Sequence, residues 1–276
     1  MLKSFKRLPL AAALVAASLT PVAHGADWSD AFIGIAQGSK FREPGNPLEN
    51  EKTVATAQYV GGYKYGVNFF TVDMLQSGPN DLARGSKRPA QELYAVYNNT
   101  VSLGKLGMDT KFGLIRDIGF QAGFDFNSKN DAFGAGLVKF IAGPKLELDV
   151  PGLLTVGAFY YKEDNNNSIS GKNVNFDSAL RIGSVWSFNF NAGLPATFKG
   201  WATWTGNKGK DGFGDQTAPE TWMESALLFD IGSAMGAPKI VYGGLGYQYI
   251  KNKFGNQPSL TGTKVSSPSV KLEYHF

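Results

Sequence analysis

The sequence contains no cysteine, which removes disulfides, thiolate nucleophiles and cysteine-based metal centres. Histidine is almost missing too, with two in the chain, His24 and His275. A serine hydrolase normally needs a histidine base that a third group orients, so the chain offers little for that chemistry and is read as no enzyme. Neither a Gly-x-x-x-x-Gly-Lys phosphate loop nor a Gly-x-Gly-x-x-Gly dinucleotide turn occurs. Asp211 to Asp215 lacks the alternating carboxylates of a calcium loop and reads as a plain polar connector. No cofactor and no metal is expected. Charge of one sign is scarce: 27 Lys+Arg stand against 23 Asp+Glu, without a basic run that would hold nucleic acid. Beyond the first two dozen residues no apolar run is long enough for a membrane-spanning helix. A membrane protein built of strands is still open, because barrels hide their hydrophobicity in alternation.

The start of the chain points outward from the cell. Lys3, Lys6 and Arg7 precede an apolar stretch from Leu8 to Leu19, and small residues follow around Ala23 to Ala26. This is the layout of a secretory signal peptide, and Ala23 and Gly25 suit the positions flanking a cut after Gly25. The expected organisation is a leader over 1–25 and one domain over 26–276. The leader carries three basic residues and no acid, so its removal takes the formal net charge from +4 to +1.

What the chain does have is glycine and aromatics: 34 Gly, 20 Phe, 11 Tyr and 5 Trp. Aromatics collect in the interfacial girdles of outer-membrane barrels, and glycines ease turns and curvature. At the end, Val270, Leu272, Tyr274 and Phe276 alternate with Lys271, Glu273 and His275, giving one apolar and one polar face. The same period of two runs through Ile118 to Phe126, Val174 to Trp186 and Val241 to Tyr249. Short turns at Gly61-Gly62, Asp149 to Gly152 and Gly236 to Pro238 alternate with longer polar stretches at 41–51, 77–89, 128–135, 163–172, 207–220 and 253–264. Six long loops imply six hairpins. The expected fold is therefore an all-β, transmembrane, antiparallel up-and-down barrel of about twelve strands in the bacterial outer membrane, with lipid around it.

Assigning the apolar face of each strand to lipid turns Asp73, Glu92, Tyr94, Gln121, Asp125, Lys139, Lys145, Asp177, Arg181, Lys199, Glu224, Gln248 and Lys271 inward. A lumen of this size lies between a side-chain-filled small barrel and an open porin. Asp73, Glu92, Tyr94, Asp125, Arg181 and Lys199 are the candidate pore-lining residues, as an acidic wall facing a basic one. A symmetric hairpin places Asp73 opposite Glu92, with Tyr94 one inward step further.

Several stretches resemble the nucleoside-specific channel-forming outer-membrane proteins, the Tsx-like family that includes the OmpK-type porins. These are Ala26 to Asp30, Gly62 to Ser77, Gly206 to Gly214, Tyr247 to Phe254 and the Glu273 to Phe276 end. The resemblance implies a twelve-stranded monomeric barrel with a narrow nucleoside pore. No nucleoside contact is carried over to a position of this chain. The function expected is passive uptake of a small polar solute, with a nucleoside as candidate and the outer loops as candidate receptors for a phage or colicin. The rivals are a structural or adhesive barrel with a closed lumen and, further off, a membrane-embedded enzyme.

Overall fold

The computed structural model describes residues 26–131, 134, 136–167 and 170–276, so the expected leader over 1–25 lies outside the described residues. Thirteen strands follow one another: β1 (Trp28–Phe41), β2 (Asn50–Tyr63), β3 (Gly66–Ser77), β4 (Gln91–Ser102), β5 (Ile115–Lys129), β6 (Gly136–Leu148) and β7 (Leu153–Asn167), then β8 (Lys172–Asn175), β9 (Ala179–Asn191), β10 (Pro195–Thr205), β11 (Glu220–Asp230), β12 (Val241–Lys251) and β13 (Val265–His275). Successive neighbours pair antiparallel, β7 joins β9, and β1 joins β13 through Phe32↔His275 to Gly38↔Ser269. The ring is thus closed by twelve strands, and closure leaves no edge with unpaired backbone groups in lipid. β8 is the extra strand, a flap paired only with the outer end of β7.

Alternation decides which side each residue takes. In β5, Phe120, Phe124 and Phe126 are exposed while Gln121, Asp125 and Asn127 are buried. β6 does the same, with Val138 and Phe140 outside and Leu137, Lys139 and Ile141 inside. In β13, Val270 is 65 % exposed and Leu272 46 %, whereas Glu273 is 3 % exposed. An apolar outer face of this extent on a closed barrel is covered by lipid, and the polar residues are left to the lumen. This is an outer-membrane barrel.

The structure corrects several expectations. The run from Val174 to Trp186 is no single strand: β8 stops at Asn175 and β9 starts at Ala179, with Phe176 buried between them. Lys162 Nζ donates to the Phe176 carbonyl and the Lys208 ammonium covers its ring, which holds the chain in a bend rather than a ladder. Asp177 accordingly sits exposed in a connector, not on an inward face. Gly61-Gly62 is not a turn; both glycines lie within β2, opposite Asn68 and Val67 of β3. A Cβ on Gly62 would come within 2.1 Å of the Trp28 ring nitrogen, so glycine there makes room for an aromatic at the rim. The connector 103–114, on the same end as the chain termini, is longer than the turns expected there. Asp117 organises it, accepting from the Gly104 and Ile118 backbone N–H groups, the Thr110 hydroxyl and the Ser102 hydroxyl. A short helix, α1 (Ile231–Ala234), starts at Asp230, whose carboxylate accepts from Ser233 N at 3.0 Å.

Candidate functional site: an aromatic bridge across the lumen

Side chains meet across the lumen in its outer half, where Tyr94, near the outer end of β4, contacts Trp222, near the outer end of β11. Their ring centroids are 6.5 Å apart. Trp222 also lies 6.1 Å from the Trp201 ring on β10 and 6.4 Å from the Phe254 ring in the connector after β12. Phe254 reaches this place from a residue with φ of 62°, a left-handed conformation unusual for an aromatic residue. Its backbone N–H donates to Glu220 at 2.7 Å, which ties the connector down onto β11.

Polar groups frame the rings. The Tyr94 hydroxyl donates to Asp125 at 2.8 Å and accepts from the Lys139 ammonium at 3.0 Å. Lys139 lies over both the Tyr94 and the Trp222 rings, at 5.4 and 6.0 Å from their centroids. On β9, Arg181 Nε donates to the Thr205 hydroxyl at 2.8 Å, and the guanidinium stacks 4.1 Å from the centre of Tyr161. Glu163 accepts from the Tyr161 hydroxyl at 2.5 Å and pairs with Lys208. The resulting passage is ringed by flat faces, two cations and a few carboxylates already engaged by neighbours.

The expected pore residues are only partly brought together. Tyr94, Asp125 and Arg181 share the aromatic constriction. Asp73 does not face Glu92: the β3–β4 register sets Asp73 against Tyr94 and Leu75 against Glu92. Glu92 thus lies one inward step nearer the outer mouth than the expected pairing placed it. There Glu92 accepts from Asn127 at 2.7 Å and pairs with Lys52 at 3.4 Å. Asp73 stays deeper, accepting from the Thr56 hydroxyl at 2.6 Å. Lys199 belongs to neither group: it reaches Glu273 on β13 at 2.6 Å, in the half nearer the termini.

A second assembly lies at the outer mouth. Glu43, in the connector after β1, pairs with Lys52 at 2.7 Å, Lys253 at 3.0 Å and Lys129 at 3.5 Å. Lys129 also holds Asp131 at 2.6 Å and Asp81 at 2.8 Å. All six side chains are buried, and they come from four different outer connectors and two strands. Burial alone would raise the Glu43 carboxyl, but Lys253, Lys52 and Lys129 outweigh it and hold it well below the usual carboxylate range. Burial pushes Asp131 up despite Lys129, and it pushes Lys253 down despite Glu43.

Trp201, Trp222, Phe254, Glu43 and Lys253 were not among the sequence candidates. The two tryptophans were within reach of parity, because Trp201 shares a face with Lys199 and Trp222 with Glu224. Glu43, Lys253 and Phe254 lie in connectors, where no period marks a facing side.

At the sequence level no protein-family model matches the chain and no curated protein matches it. Among solved structures it is similar to the translocator domain of the autotransporter NalP from Neisseria meningitidis, with 15% identity over 97% of this chain and 95% of that one, at a TM-score of 0.47. It is also similar to the NanC porin, with 11% identity over 88% and 98% of the two chains at 0.49. For the KdgM porin the identity is 8% over 89% and 99%, at 0.44.

Proposed function

We propose that the barrel is a channel for passive uptake of small polar solutes, with nucleosides as the candidate class, in keeping with its resemblance to the Tsx-like proteins. The observation that carries this reading is the Tyr94–Trp222 bridge with Trp201 and Phe254 beside it. A flat solute gains about 1–3 kcal/mol per ring from stacking on such faces, enough to select and weak enough to release. Carboxylates and amides along the walls accept its hydroxyl protons. Asp73, Glu92, Tyr94, Asp125, Arg181 and Lys199 keep their proposed roles along the path, at the different depths described above. The channel works as a monomer, and its outer connectors are the surface a phage or colicin would meet. The reading is not enzymatic; the ring nitrogens of His275 face Asp30 at 2.7 Å and Glu273 at 3.2 Å.

Flux of nucleosides, sugars and amino acids into liposomes carrying the purified protein tests this. Saturable nucleoside flux above that of the other two supports it, and equal flux of all three leaves only a general pore. A second reading, a barrel with a closed lumen, is favoured by the buried Glu43 assembly at the mouth. It requires that no solute enters and that planar bilayers show no conductance.

A further inference from the structure

Two cations at the constriction have hydrogens that the protein does not use. Arg181 is 8 % exposed and Lys139 3 %. Among the described residues Arg181 makes one hydrogen bond, from Nε to Thr205, and neither cation has a carboxylate within ion-pair distance. Among the described residues Lys139 donates only to the Tyr94 hydroxyl. The nearby acids take their hydrogen bonds elsewhere, Asp125 from the Tyr94 hydroxyl, Glu220 from the Phe254 N–H, and Glu163 from Lys208 and Tyr161, so Asp125 and Glu220 act on Arg181 through space without filling its donor groups. The terminal amino groups of Arg181 are therefore donors left to the lumen, where water or a solute can meet them. The fork of a guanidinium fits the two oxygens of a carboxylate or phosphate. Tyr94 links the pair, touching Lys139 and lying within electrostatic reach of Arg181.

We propose that Arg181 and Lys139 form an anion site in the constriction, for a small organic acid whose carboxylate or phosphate sits on the cations while its flat ring stacks on Trp222 or Tyr94. This rests on the channel reading above and adds a charge to the solute. It makes Arg181 the residue that reads the acid group and Lys139 the one that holds it near the rings.

Matched solutes test it: uracil against orotate for a carboxylate, and uridine against uridine 5′-monophosphate for a phosphate. In liposomes the acid of at least one pair should enter about fivefold faster than its neutral partner at low concentration, and the pair showing it identifies the anion. The ratio should fall toward one in Arg181→Gln and in Arg181→Lys, which keeps the charge and loses the fork. Folding of both variants is checked by heat-modifiable migration on gels. In parallel, quenching of tryptophan fluorescence reads binding to the wild-type protein in detergent. Equal flux and equal quenching by acid and neutral members, or a preference unchanged in both variants, overturns the anion site. Selective quenching by the acids without any flux keeps the site and overturns the channel reading. Absence of both flux and quenching overturns the two together.

Discussion

Tyr94 on β4 and Trp222 on β11 stand six strands apart in either direction around the twelve-strand ring, and yet their rings lie 6.5 Å from each other. Two side chains from opposite walls thus span the lumen. The contact has no counterpart in the sheet, where neighbouring residues meet through the backbone ladder. Each such aromatic pair contributes about 0.5–1.5 kcal/mol beyond the area it buries, so the bridge is stable enough to hold across the lumen and weak enough to part.

Removing the indole should widen that level. Trp222→Ala breaks three ring contacts at once. Single-channel conductance in planar bilayers should rise at least twofold, and the concentration at which a nucleoside saturates its own flux should rise with it. An unchanged conductance would place the bottleneck elsewhere.

The outer mouth should respond to Glu43. Glu43→Gln leaves Lys52, Lys129 and Lys253 with one acid fewer among them. Breaking a buried pair on one side costs about 3–5 kcal/mol, and the connectors carry most of that strain. We expect more frequent openings in bilayers and faster proteolysis of the outer connectors, with the barrel intact.

Mild acid should not open the mouth as that substitution does. A carboxyl held below its unfolded value contributes stability that is complete above the ordinary carboxylate range and is lost only as pH falls through its lowered folded value. Glu43 is such a group. Asp131 has the opposite sign, since its raised carboxyl protonates first on acidification. Lowering pH from 7 to 5 should therefore leave Glu43 charged. Open probability should change little across that interval, and a steep rise within it would show that Glu43 is not the hub.

Asp73 and Glu92 should contribute unequally to ion preference. Glu92 is tied to Lys52 and Asn127, while Asp73 is held by a neutral hydroxyl. Asp73→Asn with Glu92→Gln should shift the reversal potential toward anion preference, and Asp73→Asn alone should give most of the shift. A reversal potential unmoved in the double variant would remove both from the ion path.

The last strand should matter for assembly. Tyr274 and Phe276 are 46 % and 69 % exposed beside each other at the rim, with ring centroids 5.4 Å apart. The Phe276 N–H donates to the Ala31 carbonyl at 3.0 Å, so the final residue still takes part in closing the ring. Deletion of Phe276 should lower the amount of folded protein in outer-membrane fractions severalfold while export continues. Normal levels would show that closure does without it.

The sequence by itself determined the strands and their two faces. Alternation is a local property, and lipid on one side and a wet lumen on the other leave a period of two that reads directly in Ile118 to Phe126 or Val270 to Phe276. It also put Asp125, Lys139 and Arg181 on the inward side before any partner was known. The tertiary structure alone decided who meets whom. Register depends on the turn, and two positions of slip set Tyr94 rather than Glu92 against Asp73. Contacts across the lumen depend on ring closure, which brings β4 to β11 though more than a hundred residues separate Tyr94 from Trp222. Glu43 and Phe254 come from connectors, whose paths follow from buried charge and left-handed residues such as Asn252 and Phe254 rather than from any repeating pattern.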